Sequence, residues 1–83
     1  MNFTLEIYYI GNDTPKVVNG IAADIVGFET RFDLSMSRLQ KDAKLTHLMF
    51  LAWHVEQRTK ATAKTFEDWL NDVESVQAAN PKA

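Results

Sequence analysis

Phe3, Leu5, Ile7 and Tyr9 alternate with Thr4, Glu6 and Tyr8, the period-two pattern of a strand with one buried face. The pattern predicts a strand over residues 2–10. Gly11-Asn12-Asp13-Thr14-Pro15 is a run of turn formers, and Lys16-Val17-Val18 beyond it predicts a second, shorter strand pairing back as a hairpin. A lone two-stranded hairpin is marginal in water, so its apolar face must lie on the helices that follow.

Ile21, Ile25, Phe28 and Phe32 stand at i, i+4, i+7 and i+11 and predict a helix over 21–32 with Asn19 or Gly20 near its N-cap. Gly27 inside it costs about 1 kcal/mol relative to alanine, read here as simple tolerance rather than close packing. Asp33 to Ser37 reads as a connector, with Leu34, Met36 and Leu39 as isolated apolar anchors. The longest helical signal runs from Asp42, a plausible cap, to Lys60 without proline or glycine. Leu45, Leu48, Met49, Ala52 and Thr59 share one arc, while Phe50 and Leu51 lie opposite and Trp53 on the flank. A helix apolar nearly all round needs two partners. One is the hairpin with neighbouring helices, and the other is the last helix or another molecule.

Thr65 can cap a third helix with Asp68 in its first turn. Phe66, Trp69, Leu70, Val73 and Val76 form its apolar stripe, so the helix is expected to reach about residue 77. Residues 78–83 fade into a polar, patternless end. The expected fold is a single α+β domain, a small N-terminal hairpin packed against about three helices.

Length makes oligomers or complexes a natural expectation. An 83-residue chain buries only about 60 to 65% of its unfolded surface. The absence of cysteine removes disulfide scaffolds, thiolate zinc sites and cysteine nucleophiles. The N-terminus has no basic lead, and the longest apolar run is Leu48–Trp53, so neither a signal peptide nor a membrane span is expected. A net charge of −2 without a basic cluster argues against a binder of phosphate backbones.

The chemistry-bearing residues are sparse. His47 and His54 are seven apart on one helix, about 10 Å at 1.5 Å per residue, too far for one metal. Phe50 and Arg58, which would complete a ligand pair, are not ligands, and both histidines read as ordinary surface residues. Asp68 and Asp72 at i, i+4 could serve as acid and base or hold a hard cation, but opposite an apolar stripe they read as a solvated acidic face. With three glycines in all there is no phosphate loop, and no serine or threonine has a histidine and acid at recognised spacing. No enzyme activity and no cofactor are expected.

The nine aromatic residues are the stronger signal, because such side chains dominate both small cores and interface hot spots. Tyr8, Phe50 and Trp53 are left over from the buried stripes. With His54, Asp68 and Asp72 they form the candidate protein-binding set. Phe50→Asp is accordingly expected to abolish partner binding while helicity persists, unless the last helix covers Phe50.

In order, Asp24-Ile25-Val26-Gly27-Phe28-Glu29, Leu48 to His54 and Thr65 to Val76 resemble the tail assembly chaperones of long-tailed bacteriophages. The resemblance covers roughly residues 24–76. It implies a short protein of the host cytoplasm, absent from the mature virion, that holds the tape measure protein soluble and recruits tail tube subunits. It implies no catalytic residue, but it does imply a longer form made by ribosomal frameshift. Asn80-Pro81-Lys82 can be encoded AAC CCA AAA, which holds a slippery heptamer. Homo-oligomers are a further expected partner class; nucleic acid and membrane are not. The alternative is a small phage or bacterial regulator docking on one globular target with the same aromatics and acidic face. A DNA-binding helix-turn-helix ranks third, opposed by the acidic outer face of its recognition helix.

Overall fold

A computed structural model describes residues 3–33 and 45–78. The Asp42 cap, the Leu34, Met36 and Leu39 anchors and the end beyond residue 78 lie outside the described residues. Strands β1 (Phe3–Tyr9) and β2 (Lys16–Gly20) form the expected hairpin. Helix α1 spans Ala22–Phe32 and α2 spans Leu45–Arg58. A one-and-a-half-turn helix α3 (Phe66–Leu70) then leads into strand β3 (Val73–Ala78). The sheet is antiparallel in the order β2-β1-β3, so the fold is α+β, with the hairpin enlarged by a third strand.

That third strand corrects the helix expected over 65–77. Val73 and Val76 are both buried although three residues apart, a spacing that imitates a helix. In a regular strand they would face opposite sides. The β1–β3 register resolves this: Tyr8 pairs with Ser75 but Tyr9 pairs with Val73, leaving Glu74 as an extra residue. A bulge of this kind turns a three-residue spacing into one shared face. The helix ends where expected chemistry allows it to, because Asn71 and Asp72 are poor helix interiors that favour turns. The carbonyl of Asp72 then accepts from the Ile10 amide at 3.0 Å and starts the pairing with β1.

Leu5, Ile7 and Val18 from one sheet face meet Phe28 of α1, Phe50, Leu51, Ala52 and Val55 of α2, and Phe66 and Trp69 of α3. Both partners required by α2 come from within the chain, the sheet on one side and α1 with α3 on the other. Its buried face is Leu51, Ala52, Val55 and Glu56 with Phe50 beside them, whereas Leu45 on the expected arc is exposed. Phe50 is 4% exposed, with Phe32, Trp53 and Phe66 rings 5.3 to 5.5 Å from it. The Arg31 guanidinium closes this cluster, 5.5 Å from the Phe50 ring centre and 5.8 Å from that of Phe66.

Local chemistry sets the element ends. Thr65 caps α3 as expected, its Oγ1 accepting from the Asp68 amide at 3.2 Å. Helix α2 ends with Lys60 in the left-handed region at φ 65°. The Ala61 amide then reaches back to the Glu56 carbonyl and the Lys60 amide to that of Gln57, the closure normally made with glycine. Gly20 sits opposite Phe3 in the hairpin, and a Cβ there would stand 1.9 Å from the Phe3 ring. No helix among the described residues is long and apolar enough to cross a membrane.

Candidate functional site

Among the described residues two carboxylates are buried, Asp24 and Glu56. Burying a carboxylate is costly unless charge and hydrogen bonds surround it. Each has gathered such a shell from distant parts of the chain.

Asp24 stands in the first turn of α1, where its Oδ2 accepts from the Ile21 amide at 2.9 Å. This is half of a capping box, since Ile21 has no side-chain acceptor to return the bond. From α2, His54 Nδ1 lies 2.7 Å from Oδ1. A carboxylate can only accept, so Nδ1 carries the proton. Arg58, one turn further, donates from Nε at 3.1 Å to Oδ1 and from Nη2 at 3.0 Å to Oδ2. Burial pushes the Asp24 carboxyl upward, but Arg58, the Ile21 amide and His54 outweigh it and hold the group below its ordinary range.

Glu56, between His54 and Arg58 in sequence, points instead toward the sheet. Its Oε1 accepts from the Tyr9 hydroxyl and, at 3.2 Å, from Trp69 Nε1. Lys16 Nζ of β2 lies 2.5 Å from Oε2. That contact is an ion pair without hydrogen-bond alignment, so the buried Oε2 has no aligned donor. Burial again pushes the carboxyl upward, and Lys16, Tyr9 and Trp69 bring it below the ordinary glutamate value. Tyr9 moves the other way: burial and the acceptor Glu56 raise its phenol far above the usual range, with Trp69 opposing in part.

A buried aspartate orienting a histidine is also a catalytic device. A Cβ on Gly27 would stand 2.5 Å from His54 Nε2, so the α1 backbone passes close to the far side of this ring. Gly27 is thus a close approach, not a tolerated defect. Gly27→Ala gains about 1 kcal/mol of helix propensity but drives its methyl into a ring tethered to Asp24. Overpacking of this kind costs about 1 to 3 kcal/mol. We expect a net loss of stability in urea unfolding, together with displaced His54 ring resonances; a stabilised variant with unmoved resonances would refute the contact.

Between the two clusters a groove of about 380 Å³ separates β2 from the last turns of α2, lined by residues 16–19 and Ile21 on one side and Val55, Glu56, Arg58 and Thr59 on the other. The residues named from sequence are dispersed around the molecule. Phe50 is in the core and offers no contact surface. Trp53 is half-buried, its ring tilted against that of Phe66 at 5.7 Å and its Nε1 donating to the Lys64 carbonyl at 2.9 Å. His54 is half-buried in the Asp24 cluster, and His47 is likewise half-buried, its ring 4.9 Å from that of Phe32. Neither histidine is an ordinary surface residue.

Tyr8 lies on the sheet face away from the helices, its hydroxyl donating to Glu6 at 3.2 Å. Asp68 and Asp72 are exposed but do not form one helical face, because α3 ends at Leu70. Asp72 pairs with Lys64 instead. Among the described residues no three histidine or acidic side chains are grouped to hold a metal ion.

Sequence reasoning missed both clusters, Asp24 with Arg58 around His54 and Glu56 with Lys16 and Tyr9. One signal was present: His54 and Arg58 at i, i+4 mark one face of α2 with cation-capable groups, and such a face suits an acid as well as a metal. Comparison with protein-family models, characterised proteins and solved structures finds no match.

Proposed function

We propose that this chain is a non-enzymatic tail assembly chaperone of a long-tailed bacteriophage, shielding the tape measure protein and helping to recruit tail tube subunits in the host cytoplasm. The observation that carries the reading is the division of side chains between inside and outside. The buried acids are committed to scaffold contacts, whereas Ile10, Val17, Ile21, Val26 and Leu45 are exposed, and the outer strands of the sheet, β2 and β3, each have one edge unpaired among the described residues. Apolar surface and open strand edges suit contact with another polypeptide. The phage assignment rests on the resemblance of residues 24–29, 48–54 and 65–76, the last of which spans a helix and a strand here. The competing reading is a small phage or bacterial regulator that docks tightly on one globular target.

Co-expression with the tape measure protein encoded by the same phage tests the proposal. The tape measure is expected to move into the soluble fraction and to elute with this chain; unchanged insolubility rejects the reading. Intact masses of all products of the native gene should also include a minor extended species sharing this N-terminus.

A further inference from the structure

We propose that the groove between β2 and α2 binds an extended, acidic peptide segment of a partner as a fourth strand on the sheet. This deepens the chaperone reading by naming a contact, but it does not depend on the partner being a tape measure protein.

The groove is lined by four consecutive residues of β2. Side chains of successive strand residues point to opposite faces, so a cavity touching all four runs along the strand's edge. That edge is the outer one, since β2 ends the sheet among the described residues. The Asn19 carbonyl is turned to this side, where Arg58 Nη2 reaches it at only 3.4 Å. Backbone groups two residues apart point the same way in a strand. The amide and carbonyl of Val17 therefore face the groove too, in the position where an added strand would pair with them.

An occupant with alternating donors and acceptors along an extended line is a polypeptide backbone. Its side chains would meet Val18, Val55 and Ile21. Lys16 and Arg58 rim the groove with side chains 49% and 30% exposed, while the acids that balance them are buried beneath. Each pair therefore keeps its cation on the solvent side of the buried acid, and an acidic segment fits that side.

The probe is the peptide acetyl-Glu-Thr-Val-Thr-Glu-amide, whose alternate residues put both glutamates and the valine on one side. Titration at low-millimolar peptide, followed by amide ¹H–¹⁵N spectra, is expected to shift Val17, Asn19 and the Arg58 Nε resonance. The lysine-for-glutamate peptide should bind about tenfold more weakly. Thr59→Trp fills the groove from an exposed position whose hydroxyl bonds only to its own helix, at Val55 and Glu56, and should abolish the shifts while the β1–β2 cross-strand contacts persist. Val17→Pro removes the outward amide, a replacement that edge strands tolerate, and should do the same.

Shifts confined to the open sheet face around Thr4, Tyr8 and Ser75, or no shifts at all, would overturn the proposal. Equal binding by the Thr59→Trp variant would overturn it as well. Failure of the chaperone reading shows separately, as a tape measure that stays insoluble with the unaltered chain whatever the peptide does.

Discussion

Asp24→Ala is expected to remove about 3 to 5 kcal/mol of stability, the usual cost of deleting one partner from a buried, hydrogen-bonded ion pair. The loss exceeds that of one bond because three donors are stranded together: Arg58, His54 and the Ile21 amide. A domain of this length has a total stability of about 4 to 12 kcal/mol, so the variant should be partly unfolded without denaturant. Asp24→Asn keeps an acceptor but loses the charge, and should fall between the two. Urea unfolding followed by far-UV circular dichroism measures both. A loss below about 1 kcal/mol for the alanine variant would show that the carboxylate does not organise the junction of α1 and α2.

The same carboxyl sets a pH dependence. Its folded-state value lies below the ordinary one, so the unfolded chain takes up protons first as pH falls. Stability from Asp24 is therefore complete above the usual carboxylate range of about 4, and is lost as pH falls through the depressed folded value. Glu56 adds in the same direction. Asp24→Ala should flatten the acid limb of a stability profile but leave the part due to Glu56. An unchanged acid limb would contradict both the shift and its assignment.

Phe50→Asp should abolish folding itself, not partner binding alone. Phe50 is enclosed by Phe32, Trp53 and Phe66. Truncating such a ring costs about 3 to 5 kcal/mol before any charge is considered. An aspartate at that place has no cation in hydrogen-bond geometry, although Arg31 lies over the ring. Loss of helical signal and of tertiary proton dispersion is the expected result, and Phe50→Leu, which keeps much of the volume, should fold with a smaller penalty. A folded, binding-deficient Phe50→Asp would return the residue to the surface.

Both variants act on features that a one-dimensional pattern describes incompletely. Periodicity places Phe50 on the far side of α2 from the Leu45, Leu48 and Met49 arc, but that only states which residues cannot face the same neighbour. Whether the second neighbour is another molecule or α3 depends on where residues 66–69 return in space. They return onto Phe50 and Trp53, so the far side of the helix is covered from within the chain. The same folding-back brings Arg31 over the aromatic rings and within 3.8 Å of Glu67.

What the chain determined by itself is everything governed by neighbours within a turn or a strand. The alternation through Tyr9 and the turn formers after it specify the hairpin. The apolar stripes specify α1 and the central helix, and Thr65 starts α3 by accepting from the Asp68 amide. An α+β domain is therefore legible without coordinates. Tertiary structure alone decided the rest. Val73 and Val76 became strand residues because pairing with β1 absorbs Glu74 as a bulge, which a residue-by-residue period reads as helix. Asp24 found His54 and Arg58 across 30 and 34 residues, and Tyr9 found Glu56 across 47. Gly27 became a close-packed position only when the His54 ring came to rest against it. Local propensity is a sum over adjacent residues, but the cost of a buried charge is set by whatever the fold brings near it.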